Sequence, residues 1–121
     1  DDFMIFHQDN KVLKSCKEKI QAYLRKLKLE LHPDKSKIMP LQKGLTALGY
    51  RNFYHYRLLR KSNRRRFEKI MVVKLQQLKE GSMTKEKIMK YVLGWFGYAR
   101  WANTYVLRKK MVWEIEQIVS T

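Results

Sequence analysis

Apolar residues recur at three- and four-residue intervals at Val12, Leu13, Cys16, Ile20, Tyr23, Leu24 and Leu27. Lys11, Lys14, Lys17, Glu18, Lys19 and Arg25 fill the positions between them. This spacing predicts an amphipathic helix ending near Lys28, with Asp9 or Asn10 as its N-cap. Before it, Phe3, Met4, Ile5 and Phe6 form a short continuous apolar run, expected to be a buried strand. After it, Leu29 and Leu31 alternate with Glu30 and His32, the pattern of a half-buried strand. His32-Pro33-Asp34-Lys35-Ser36 is turn chemistry. A strand is expected over 38–41, with Pro40 at an edge or strand end, and Gln42-Lys43-Gly44 reads as a tight hairpin loop. Further strands are expected over 45–53 and 56–59.

The period changes after Leu59. Phe67, Ile70, Met71, Lys74, Leu75 and Leu78 form one stripe of a helix that Ser62 or Asn63 can cap and Gly81 can end. A second helix starts at Ser82 or Thr84 and carries Ile88, Tyr91, Val92, Trp95 and Phe96 on one side. It is expected to continue through Tyr98 and Trp101 despite Gly94 and Gly97. Asn103 or Thr104 caps a third, with Leu107, Met111, Ile115 and Ile118 inward. Short connections between three such helices make a small bundle. The fold class is therefore α+β: short antiparallel strands with one packing helix over residues 1–59, then a three-helix bundle over residues 60–121.

Charge changes the picture. Lys and Arg number 27 against 11 acids, a net charge of +16. No acid occurs from Lys35 to Phe67, nor from Lys87 to Trp113. Between Arg57 and Lys69, seven cations (Arg57, Arg60, Lys61, Arg64, Arg65, Arg66 and Lys69) share thirteen residues with one acid, Glu68. Such density repels itself unless a polyanion neutralises it, which points to nucleic acid. An anionic membrane surface is the rival, but no apolar run reaches the roughly 18 residues of a spanning helix, and no stretch has a signal-peptide layout. With Cys16 the only cysteine, no internal disulfide or cysteine-based metal site forms, and a reducing, cytoplasmic setting fits. A chain that opens on Asp1-Asp2 and turns at once apolar reads as a piece of a longer protein.

Other chemistry is sparse. No glycine-rich phosphate loop occurs. His7, His32 and His55 lack zinc-site spacing and read as surface or turn residues. Cys16 lies on the apolar helix face as a small core residue. Trp95 and Trp113 are expected in the core, while Trp101 fits core or stacking platform equally. Asp1 and Asp2, adjacent carboxylates beside an apolar strand, have the hard oxygens a divalent metal takes, but fit a solvated terminus as well.

Taken in order, Asp1-Asp2-Phe3, the apolar strand, the helix, the segment from Leu29 through His32-Pro33-Asp34-Lys35 to Lys37, Lys43-Gly44 and Leu48-Gly49-Tyr50 resemble the later palm of a bacterial reverse transcriptase. Arg57-Leu58-Leu59-Arg60-Lys61 and the stretch from Gly94-Trp95-Phe96-Gly97 to Thr104-Tyr105 resemble that family's three-helix thumb, and the tail is most similar to diversity-generating retroelement enzymes, with group II intron enzymes next. The resemblance implies that Asp1 and Asp2 end a Tyr-x-Asp-Asp box and hold Mg²⁺, with the fingers and an earlier palm aspartate lying outside this chain. It implies that Lys35 assists the leaving pyrophosphate, and that Leu48, Gly49 and Tyr50 form the primer grip. Arg57, Arg60, Lys61, Arg64, Arg65, Arg66, Lys69, Arg100, Arg108 and Lys109 would follow the nucleic-acid backbone. The implied partners are an RNA template, a DNA primer and, in the complete enzyme, dNTP, with room for an accessory protein. On its own the chain is expected not to polymerise. The alternative is a stand-alone basic RNA- or DNA-binding module without catalysis; a protein- or membrane-surface domain is a third reading.

Overall fold

A computed structural model describes residues 2–121 of the chain. The chain divides into two compact units, one ending at Pro40 and the other spanning Leu41–Thr121.

The first unit holds one helix, α1 (Asn10–Lys26). Asp9 caps it, its Oδ1 accepting from the Lys11 N–H at 2.8 Å. At the other end Lys28 adopts φ +56°, and the amides of Lys28 and Leu29 donate to the carbonyls of Arg25 and Leu24. These two bonds make a complete Schellman motif with lysine where glycine is usual. The strands expected over 3–6, 29–31 and 38–41 do not form. A strand exists only when another strand takes its backbone groups, and an apolar pattern alone does not supply that partner. Phe3, Met4, Ile5 and Phe6 are instead exposed, and α1 buries none of its residues, so Cys16 is half-buried rather than a core residue.

The second unit opens with a single 3₁₀ turn (Leu41–Lys43), where a hairpin loop was expected. Three strands follow: β1 (Leu45–Ala47), β2 (Tyr50–Asn52) and β3 (Arg57–Leu59), antiparallel in the order β1-β2-β3. The strand expected over 45–53 is thus a hairpin, because Leu48 and Gly49 have φ +55° and +84° and turn the chain between paired Ala47 and Tyr50. Positive φ at both loop residues is the hallmark of a type I′ turn. Phe53 to Tyr56 close the second turn, their rings stacked with centroids 4.6 Å apart.

Helices α2 (Lys61–Lys79), α3 (Lys85–Ala99) and α4 (Tyr105–Ser120) complete the unit. Gly81 ends the first connection with φ +79°, and Thr84 caps α3 by accepting from the Lys87 amide at 3.3 Å. The third helix of the chain stops at Ala99 rather than running through Trp101. Phe67, Met71, Ile88, Val92, Met111 and Ile115 form the main core, and Leu59, Ala99 and Ala102 a second cluster at the sheet end. Trp95 and Leu107 pack against both, so sheet and bundle share one interior. Each large core side chain contributes roughly 1.5–3 kcal/mol by leaving water. The strand-to-helix change falls between Leu59 and Lys61 as the sequence period predicts, while the compact unit that contains both begins at Leu41. Trp113, expected inside, is 59% exposed: Met111 and Ile115 turn inward on α4, and a residue two positions from each faces away.

Candidate nucleic-acid interface

The turn at Leu48-Gly49 is tied to the start of α2 and the end of α3. The Gly49 carbonyl accepts from the Arg60 amide at 2.9 Å and also from the Tyr98 hydroxyl. The Tyr98 hydroxyl in turn accepts from Asn63 Nδ2 at 3.2 Å. The Tyr50 hydroxyl donates to the Tyr98 carbonyl at 2.7 Å, and the two rings lie 5.0 Å apart. One layer further, the Asn103 amide donates to the Arg57 carbonyl at 2.9 Å, fastening β3 to the α3–α4 connection. Leu48 itself is held at the tip, 90% exposed. A leucine in the left-handed region costs roughly 1–2 kcal/mol, and this one recovers nothing by burial.

Arg57, Arg60, Lys61, Arg64 and Arg100 lie at the same end, and Arg65, Arg66 and Lys69 continue from it along α2. Arg57 lies 5.9 Å from the centre of the Tyr50 ring, and Arg100 lies 4.9 Å from that of Trp101. Arg60 occupies the N-cap position of α2 and makes no side-chain cap; Lys61 and Arg64 follow in the first turn, which has no acid. Ser62 and Asn63, the expected caps, therefore lie inside the helix, and Asn63 is committed to Tyr98. Positive charge at a helix N-terminus opposes the macrodipole at about 0.3–1 kcal/mol each, so these cations are electrostatically unfavourable to α2. Arg57, Arg60, Lys61, Arg64, Arg65, Arg66, Lys69, Arg100 and Lys109 are all exposed. Among the described residues, only Arg64 of these is engaged by an acid, Glu68 at 2.9 Å, a pair open to water and worth little. Arg108 differs: half-buried, it donates from Nε to Thr104 Oγ1 at 3.2 Å and so braces the α4 start.

Asp2 and Lys35, also expected at the site, belong to the first unit. Asp1 lies outside the described residues. Asp2 is exposed, and no group of three or more His, Cys, Asp or Glu that could hold a metal occurs among the described residues. Of the two expected Mg²⁺ ligands, Asp2 alone is among the described residues, and no step through that ion follows from it. Lys35 is exposed in a turn organised by His32, whose Nδ1 accepts from the amides of Asp34 and Lys35 at 3.2 and 3.3 Å. His7 Nδ1 does the same for Asp9 at 2.9 Å, so both histidines are turn residues, in keeping with their scatter along the chain. Trp101, which fits two roles by sequence, is 58% exposed with Arg100 over its ring, so it is not a core residue.

Sequence reasoning missed Asn63, Tyr98 and the bend at Leu48. Gly49 inside a strand pattern was the available sign of the bend. No local signal announces a hydrogen bond between residues 35 or 49 positions apart.

Comparison with protein-family models, with curated proteins and with solved structures found no match for this chain. No helix among the described residues is long and apolar enough to cross a membrane.

Proposed function

We propose that this chain is the template–primer-holding part of an RNA-directed DNA polymerase, the later palm and thumb of a bacterial retroelement reverse transcriptase. The observation that carries the reading is the meeting of exposed, largely unpaired cations with the Leu48–Gly49 turn at one end of the bundle. A polymerase must hold a duplex by its phosphates without reading sequence, while fixing one strand end closely. Arg57, Arg60, Lys61, Arg64, Arg65, Arg66 and Lys69 serve the first need. A strained turn with an exposed Leu48, pinned from behind by Tyr98 and Arg60, serves the second.

The test is the salt dependence of binding to an RNA–DNA hybrid. If about six cations neutralise phosphates, log affinity falls with a slope of about −5 per log unit of salt. A slope near zero overturns the binding reading. The polymerase part is tested separately, in a protein that carries the sequence upstream of Asp1. Replacing Asp2 with Asn is expected to abolish primer extension and leave hybrid affinity unchanged. Retained extension removes the metal role and leaves a basic nucleic-acid-binding module.

A further inference from the structure

Two grooves flank α2, and their charges differ. The one between α2 and α4 is edged by Arg64 and Lys110, each matched four residues on by an acid, Glu68 at 2.9 Å and Glu114 at 3.7 Å. It is electrically balanced and attracts a polyanion less than a groove without acids does. The other lies between α2 and α3, holds about 300 Å³, and no carboxylate is among its described lining residues. Asn63, Arg66 and Ile70 line it from α2; Tyr91, Trp95 and Tyr98, spaced four and three apart on α3, line it from the other side. Phe67 makes the floor, its ring parallel to that of Trp95 within 4° and 3.6 Å away. Lys74 stands beyond the Tyr91 end, 4.5 Å from that ring's centre.

The geometry points to this cleft as a seat for one unpaired nucleobase of a bound strand. Contact between bases and aromatic rings tolerates any base; Phe67 already covers one face of Trp95 and Lys74 lies over the Tyr91 ring, so a base meets the ring surfaces that remain. Arg66 at the mouth supplies a cation for the adjoining phosphate, and Asn63, whose Nδ2 donates to Tyr98, offers its Oδ1 as an acceptor. The volume is at the low end of small-ligand pockets, which run from about 300 to 1,000 Å³, so it suits a single base and not a nucleoside triphosphate. Its position also fits: Asn63 and Tyr98 belong both to the cleft and to the network that holds the Leu48–Gly49 turn. A strand leaving a duplex held at that turn has its next base within the same aromatic wall. The inference rests on the nucleic-acid reading above, but its test is independent of the duplex affinity.

The experiment uses the 121-residue chain and three kinds of labelled RNA–DNA hybrid: blunt, with a one-nucleotide adenine overhang on one strand or the other, and with an abasic residue in each of those overhangs. Fluorescence anisotropy is expected to show the adenine overhang binding about fivefold or more tighter than the abasic one. Tyr91→Leu and Ile70→Trp, the second filling the cleft from a half-exposed position, remove that ratio while blunt-hybrid affinity stays unchanged. Because the two variants alter opposite walls, loss of the ratio with retained blunt binding excludes simple unfolding. Equal affinity for adenine and abasic overhangs on both strands overturns the cleft assignment and leaves the duplex reading intact if the blunt hybrid keeps its steep salt slope. AMP that abolishes the ratio at concentrations comparable to that of the overhang hybrid assigns the cleft to free nucleotides and overturns the strand assignment. A flat salt slope with a retained base effect overturns the duplex reading alone.

Discussion

Tyr50 and Tyr98 lock each other across the joint of sheet and bundle. The Tyr50 phenol donates to the Tyr98 carbonyl at 2.7 Å, and the Tyr98 phenol donates to the carbonyl of Gly49, the residue before Tyr50. Their rings meet at 5.0 Å and 38°. The pair turns a three-residue hairpin strand, marginal alone, into a fixed extension of α3.

Tyr98→Phe removes only the hydroxyl, and with it the bond to Gly49 and the acceptor for Asn63. Gly49 keeps its bond from Arg60, so the carbonyl is not orphaned. The expected cost is about 1–3 kcal/mol, read by urea denaturation. A double-mutant cycle with Asn63→Ala is expected to be non-additive; strict additivity would show that the two side chains act separately.

The turn predicts opposite outcomes for neighbouring residues. Leu48→Asn suits a type I′ turn and is expected to stabilise the chain by about 0.5–1 kcal/mol. Gly49→Ala is expected to destabilise by about 2 kcal/mol or more, since its φ is +84° and a Cβ there meets the Tyr98 ring at 3.1 Å. Thermal melts of the two variants shifting in the same direction would contradict the turn assignment.

Replacing Arg64, Arg65 and Arg66 with Ala tests the basic surface. Each phosphate that loses its cation lowers the salt slope by about 1, so a fall of about 2 to 3 is expected. Arg64 is expected to contribute least, because Glu68 already partly neutralises it. Unchanged slope in the triple variant places the duplex elsewhere on the molecule.

Thr104 is buried, donating from Oγ1 to the Ala99 carbonyl at 2.6 Å and accepting from Arg108. Thr104→Val keeps the shape and removes both bonds, at an expected cost of about 1–3 kcal/mol. It also releases the Arg108 guanidinium, so hybrid affinity, measured below the melting transition, is expected to hold or rise. A fall in affinity at full folding would mean that Arg108 binds from its braced position.

Lys28 occupies the left-handed position that ends α1. Lys28→Gly relieves strain of roughly 1–2 kcal/mol against an entropic loss of about 0.5–1 kcal/mol. Exchange of the Leu29 amide, which donates to Leu24, is expected to slow about two- to fivefold. Faster exchange would show that the lysine stem contributes more than the strain removes.

What the sequence determined by itself is periodic and local. The helix stripes through Leu24, Phe67, Val92 and Ile115 appear in spacing alone, because a helix forms every backbone bond within itself. Asp9 and Thr84 as caps and Gly81 as a stop were legible for the same reason, as was the basic surface from Arg57 to Lys69. What only the tertiary structure decided involves partners distant along the chain. Apolar runs at Phe3, Leu29 and Ile38 carry strand patterns but form none, since a strand needs a neighbour that periodicity does not name. Asn63 reads as a cap in sequence and serves Tyr98 in space. The bend at Leu48, Trp113 facing out, and the aromatic cleft beside Trp95 follow from how β3, α2 and α3 pack, and packing is settled by volume and by hydrogen bonds across dozens of residues.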